Sequence, residues 1–111
     1  MTELATDGVR SMGPSNAITD GRVATYYLDD RKLRISVTRV DGRLYAFADL
    51  CTCTSEHCPL SGGRLLGTVV TCQCHGSRYD ITTGAVVEGP ATKPIVVYTV
   101  EDVDGDVQLR V

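Results

Sequence analysis

Long apolar runs, basic charge and helical periodicity are scarce in this sequence, and each shortage closes off a class of function. No apolar run approaches the roughly 20 residues that a membrane-spanning helix needs, so no anchor is predicted. Met1 to Asp7 carry neither a basic n-region nor an apolar h-region, which argues against a secretory signal and for a cytosolic protein. The net charge of -3 argues against nucleic acid as the main partner and mildly favours docking on a basic protein surface. No stretch reads as an amphipathic helix of useful length. No nucleophile–base pair stands outside two cysteine-rich segments, so the sequence offers no catalytic centre of its own.

What is present is a series of short β-type runs, in a chain whose 111 residues allow one domain. Residues 1–16 are rich in Thr, Gly, Ser and Asp without hydrophobic period, and predict a loose N-terminal arm. A single domain is expected over 17–111. Val23 to Leu28 predicts a strand. Leu33, Ile35 and Val37 alternate with Arg34, Ser36 and Thr38, the pattern of a half-buried strand. Asp41-Gly42 and Asp104-Gly105 predict tight hairpin turns, because Asp-Gly tolerates positive φ. Further strands are expected at Leu44–Phe47, Thr68–Thr71, Tyr79–Ile81, Ala85–Val87, Ile95–Val100 and from Val107 to the end. Short strands punctuated by Gly, Asp and Pro predict an all-β fold, an antiparallel β-sandwich or small barrel.

All five cysteines and both histidines fall in two segments, Cys51-Thr-Cys53-Thr-Ser-Glu-His57-Cys58 and Cys72-Gln-Cys74-His75. Structural disulfides are uncommon in the cytosol, so these cysteines read first as ligands or redox groups. Soft sulfur and imidazole donors at a tight turn suit zinc or an iron–sulfur cluster. Each segment lies between a strand and a Gly-rich loop, and a hairpin pattern can bring two such loops together at one end of a sheet.

Cys72-x-x-His75-Gly76-Ser77-x-Tyr79-Asp80 resembles the second cluster-binding loop of the Rieske [2Fe–2S] proteins, and Cys58-Pro-Leu60-Ser-Gly-Gly63 resembles the first. The likeness covers roughly Val23 to Val111. It implies a β-sandwich with a small cluster-binding subdomain inserted at about 49–83. It also implies a [2Fe–2S] cluster held by one Cys and one His from each loop.

The first loop departs from the family's Cys-x-His, since it reads Cys51-Thr52-Cys53 with His57 further on. Cys53 can replace the histidine, giving Cys51, Cys53, Cys72 and His75 as ligands. Alternatively His57 is a ligand, with either Cys51 or Cys53. The resemblance further implies a Cys58–Cys74 disulfide, hydrogen-bond donation to the cluster sulfurs by Ser77 and Tyr79, the glycine turn at Gly76, and apolar cover from Leu60 and Pro90.

The function implied is that of a soluble, monomeric Rieske-type ferredoxin, which takes one electron from a reductase and delivers it to an oxygenase or similar terminal enzyme. Two further readings are a small subunit of a larger oxidoreductase, resembling that of nitrite reductase, and a structural zinc module. Zinc leaves Gly76-Ser77-x-Tyr79-Asp80 without a role. The CDGSH-type iron–sulfur proteins share a three-Cys, one-His set, but their spacing differs.

Overall fold

A computed structural model describes residues 9–30, 32–50, 59–74, 76–89 and 91–110. The chain folds into β1 (Val9–Pro14), β2 (Val23–Leu28), β3 (Leu33–Val40), β4 (Arg43–Ala48), β5 (Arg64–Leu66), β6 (Val69–Thr71), β7 (Arg78–Asp80), β8 (Val86–Glu88), β9 (Val97–Val103) and β10 (Asp106–Arg110). Short 3-10 turns lie at Ser15–Ala17 and Leu60–Gly62. The strands form two sheets, β1-β10-β9-β4-β3-β2 and β5-β6-β7-β8, with antiparallel pairing throughout. The all-β fold expected from the sequence is the one observed. Among the described residues no helix is long and apolar enough to cross a membrane.

Two hairpins close as the Asp-Gly pairs dictate. Asp41 and Gly42 take φ of 51° and 81°, and Asp104 and Gly105 take 51° and 82°. These values suit the type I′ turn that matches the twist of the flanking strands. Strand β9 then serves two neighbours. Val97 and Tyr98 pair with Phe47 and Ala46 of β4, whereas Thr99 to Val103 pair with β10. The handover divides the larger sheet into two halves, and side chains from both meet in one core of Ile18, Leu28, Ile35, Val37, Ala46, Val107 and Leu109.

A second core joins the sheets: Phe47, Leu60, Val70, Cys72, Tyr79, Ile81, Ala91 and Ile95. Strand alternation sends Ala46 to the first core and Phe47 to the second. The centre of β3 is therefore covered on both faces, and Ile35, Ser36, Val37 and Thr38 are all fully buried. This corrects the half-buried reading of the strand. Its polar face tolerates burial because the hydroxyls are satisfied. Ser36 Oγ lies 3.2 Å from Thr25 Oγ1, and Thr38 Oγ1 donates to the Arg22 carbonyl at 2.7 Å.

The predicted N-terminal arm needs a larger correction. From Val9 onward it is strand β1, paired with β10 at the sheet edge. Ser15 N–H donates to Gly105 O at 2.8 Å, and Arg39 donates to the carbonyls of Ser15 and Ile18. The pairing is long-range and its register shifts between Ser11 and Pro14, so no local period betrays it. Residues 1–8 of the arm lie outside the described residues.

Two carboxylates brace turns. Hydrogen bonds from the Thr82 hydroxyl and N–H hold Asp80 below the usual carboxylate range, helped by the Thr68 hydroxyl. The Ser15 hydroxyl, the Gly105 N–H and Arg39 do the same for Asp102. A depressed folded-state value means that the bound proton opposes folding. The stability these groups contribute is present above the unfolded value and is lost as pH falls through the folded one. Urea midpoints are therefore expected to fall as pH drops below about 4, with a shallower acid limb in Asp80→Asn. An unchanged limb in that variant would remove Asp80 from the account.

Candidate metal centre

The second cysteine-rich segment is the tip of the β6–β7 hairpin. The ladder ends at the Thr71–Arg78 pair, and two further bonds shape the tip. Cys72 N–H donates to Ser77 O at 2.7 Å, and Gly76 N–H donates to Cys72 O at 3.0 Å. Gly76 sits at φ 78°, where a side chain is disfavoured. Cys72 is a buried thiol, 1% exposed, in the core shared with Leu60, Tyr79 and Ala91. Cys74, two residues on, faces outward and is disulfide-bonded, with its partner outside the described residues.

Ser77 is fully buried, and its Oγ accepts the Ala91 N–H at 3.0 Å. A hydroxyl also carries one proton to donate, so Ser77 keeps an O–H available on the tip while its oxygen ties down the 91 segment. Tyr79 is fully buried on β7 between Val70 and Val86.

The first segment leaves β4 through Asp49 and re-enters at Pro59. Asp49 is fully buried. Its carboxylate accepts from Arg34 Nε at 2.8 Å, from the Ser61 hydroxyl at 2.8 Å, and from the Ser61 N–H. Leu60, also fully buried, packs in the core of Cys72. Gly63 brings the exit of this segment against the other: a Cβ there would stand 1.8 Å from the Thr71 carbonyl oxygen. The Arg64–Thr71 pair follows at once. The chain that follows the first cysteine-rich segment thus meets the second hairpin at one end of the smaller sheet, while residues 51–58 lie outside the described residues.

Of the residues singled out from the sequence, Leu60, Cys72, Ser77 and Tyr79 converge, Gly76 shapes the tip, and Cys74 is exposed on it. Cys51, Cys53, His57, Cys58, His75 and Pro90 lie outside the described residues. Cys72 is the one expected ligand within them. The sequence reading missed Asp49, Arg34, Ser61 and Gly63. The signal available for them was an Asp at a strand end two residues before the first cysteine, and the Gly62-Gly63 pair after Cys58.

The described donors suit an iron–sulfur cluster. A buried thiol at Cys72, a buried hydroxyl at Ser77 and the apolar side chains of Leu60 and Ala91 are of the kinds that a cluster's irons and sulfurs require. Tyr79→Phe is expected to keep the cluster and lower its potential by roughly 65–130 mV, the equivalent of about 1.5–3 kcal/mol for one charge-assisted hydrogen bond. Redox titration of the two proteins checks this, and equal potentials would mean that the hydroxyl points elsewhere.

Comparison with known proteins agrees with this chemistry. A profile of the Rieske [2Fe–2S] domain matches residues 10–100. The chain is 32% identical over 111 residues to the anthranilate 1,2-dioxygenase ferredoxin subunit of Burkholderia cepacia, covering 100% of this chain and 99% of that one. It resembles the Sphingomonas yanoikuyae B1 ferredoxin with a TM-score of 0.81 and 30% identity, over 91% of this chain and 96% of that one. It also resembles a chain in the complex of reduced oxygenase and oxidized ferredoxin of carbazole 1,9a-dioxygenase, with a TM-score of 0.82 and 28% identity over 93% of each chain.

Proposed function

The chain belongs to the Rieske [2Fe–2S] family, and from that premise we propose that it is the ferredoxin of an oxygenase system, working in the cytoplasm between a reductase and a terminal oxygenase. The observation that carries this is the end-to-end likeness to a dioxygenase ferredoxin subunit, joined to a buried Cys72 thiol on the matching loop. The protein is an electron carrier and not itself a catalyst.

When bound, the [2Fe–2S] cluster supplies a one-electron couple. The remaining work falls to the chain. Cys51, Cys53, Cys72 and His75 are the ligand set we favour, with His57 the alternative in the first loop. The Cys51-x-Cys53 spacing supports it, because it keeps the one-residue interval of the family motif and lets the extra residues bulge outside. Ser77 and Tyr79 would donate their O–H groups to sulfur, and donors to sulfur stabilise the added electron. Leu60 and Ala91, both buried, would keep water from the site, and Pro90 is assigned the same task by its place in the family motif. The inserted cluster-binding unit is taken as about residues 49–83; the smaller sheet runs from Arg64 to Glu88.

The disulfide at Cys74 supports a bridge to Cys58, since that partner leaves both Cys51 and Cys53 as thiolates. Alkylation of the oxidised holoprotein under denaturing, non-reducing conditions should then leave Cys58 and Cys74 unlabelled.

Potentiometric titration of the holoprotein tests the carrier role. A single one-electron wave, with the reduced protein reoxidised by an added oxygenase of the aromatic-ring type, is the expected result. The absence of a one-electron wave would overturn the reading.

A further inference from the structure

Asp49 is a fully buried carboxylate that belongs to no ligand set. Burying an ionised carboxylate is costly unless several donors meet it, and here the donors come from two distinct places. Arg34 Nε reaches it from β3 in the larger sheet, and Ser61 gives both its N–H and its hydroxyl from the 3-10 turn after the first cysteine-rich segment. Asp49 itself stands at the entrance of that segment, and its N–H donates to Arg34 O at 2.8 Å. One side chain therefore pins the entrance of residues 50–60 to their exit, and pins both to the sheet. Leu60, next to Ser61, is packed with Cys72 of the opposite loop. The clamp thus fixes Leu60, at the exit of the first segment, beside Cys72. Fixing both ends also removes the closure entropy that a free segment would lose on binding.

We propose that Asp49 is the positioning residue of the cluster-binding site, holding the first loop in register with Cys72 through Ser61 and Arg34 and so setting how firmly the cluster is retained. The inference rests on the Rieske reading.

The test compares parent holoprotein with Asp49→Asn, Ser61→Ala, Ser61→Thr and Arg34→Gln. The readouts are the rate of visible bleaching in excess ferrozine, the EPR line shape of the reduced protein, and the thermal midpoint. Asp49→Asn is expected to bleach at least ten times faster than parent. Ser61→Ala and Arg34→Gln should each bleach about three times faster, and Ser61→Thr, which restores the hydroxyl, at the parental rate. The EPR line shape should shift in Asp49→Asn and Ser61→Ala, which a merely structural role would not require. Should Asp49→Asn fail to fold, the Ser61 pair carries the test, because Ser61→Ala leaves the buried charge with two of its three donors. Parental bleaching and parental EPR in Ser61→Ala and Arg34→Gln would overturn the inference. A parent with no bleachable colour would overturn the Rieske reading and the inference with it.

Discussion

Cys72→Ser protein is expected to purify colourless, with no labile sulfide, while its β-sheet circular dichroism stays that of the parent. The thiol is 1% exposed and sits in the core that joins the two sheets, so solvent does not reach it to supply a replacement ligand. Serine brings a harder oxygen donor with a much higher pKa, a far poorer ligand than thiolate for an iron–sulfur centre. The tip should survive the change, because its two shaping hydrogen bonds run through the backbone of Cys72, Gly76 and Ser77. Ligand loss is thereby separated from misfolding. The same assay decides the first loop. Cys53→Ser is expected to lose the cluster and His57→Ala to keep it. A brown Cys53→Ser protein beside a colourless His57→Ala would make His57 the ligand. A brown Cys72→Ser protein with full sulfide would remove Cys72 from the site.

Gly63→Ala is expected to destabilise the fold by about 3 kcal/mol or more, at the upper end of single substitutions. The backbone there needs no glycine for its own sake, since φ is -91°. The constraint is space: the added methyl would meet the Thr71 carbonyl oxygen at 1.8 Å. Both partners are backbone, so neither can swing aside, and relief requires parting β5 from β6 next to Cys72. A total stability of about 5–15 kcal/mol would be cut by a large fraction. Iron content should fall along with the urea midpoint, because the strand pair that parts is the one that brings the loops together. A parental midpoint would show that the close approach is dispensable.

These two positions also mark what could be read from the sequence. Cys72 stood out because its neighbours carry a spacing with one dominant chemical meaning. The Asp-Gly turns were legible because their geometry is fixed by two adjacent residues. Strand β5 was missed because Arg64-Leu65-Leu66 has no β-branched residue. Its pairing with β6 makes it a strand. Strand β1 was missed because its partner lies at the far end of the chain. Ser36 and Thr38 read as solvent-facing because alternation describes one sheet and knows nothing of a second layer on the other face. Asp49 and Gly63 were silent for a related reason. A lone acidic residue and a glycine acquire meaning only when the fold shows what stands opposite them. The ligand set, Cys72 included, is carried by motif and family membership.

The central claim is that the two loops close around a [2Fe–2S] cluster that carries one electron. Iron, zinc and labile-sulfide analysis of anaerobically purified protein, with EPR before and after reduction, tests it most directly. The account predicts brown protein with two irons and two sulfides per chain, EPR-silent as oxidised and giving a single paramagnetic signal after uptake of one electron. Stoichiometric zinc without sulfide, in colourless protein that shows no signal on reduction, would contradict it.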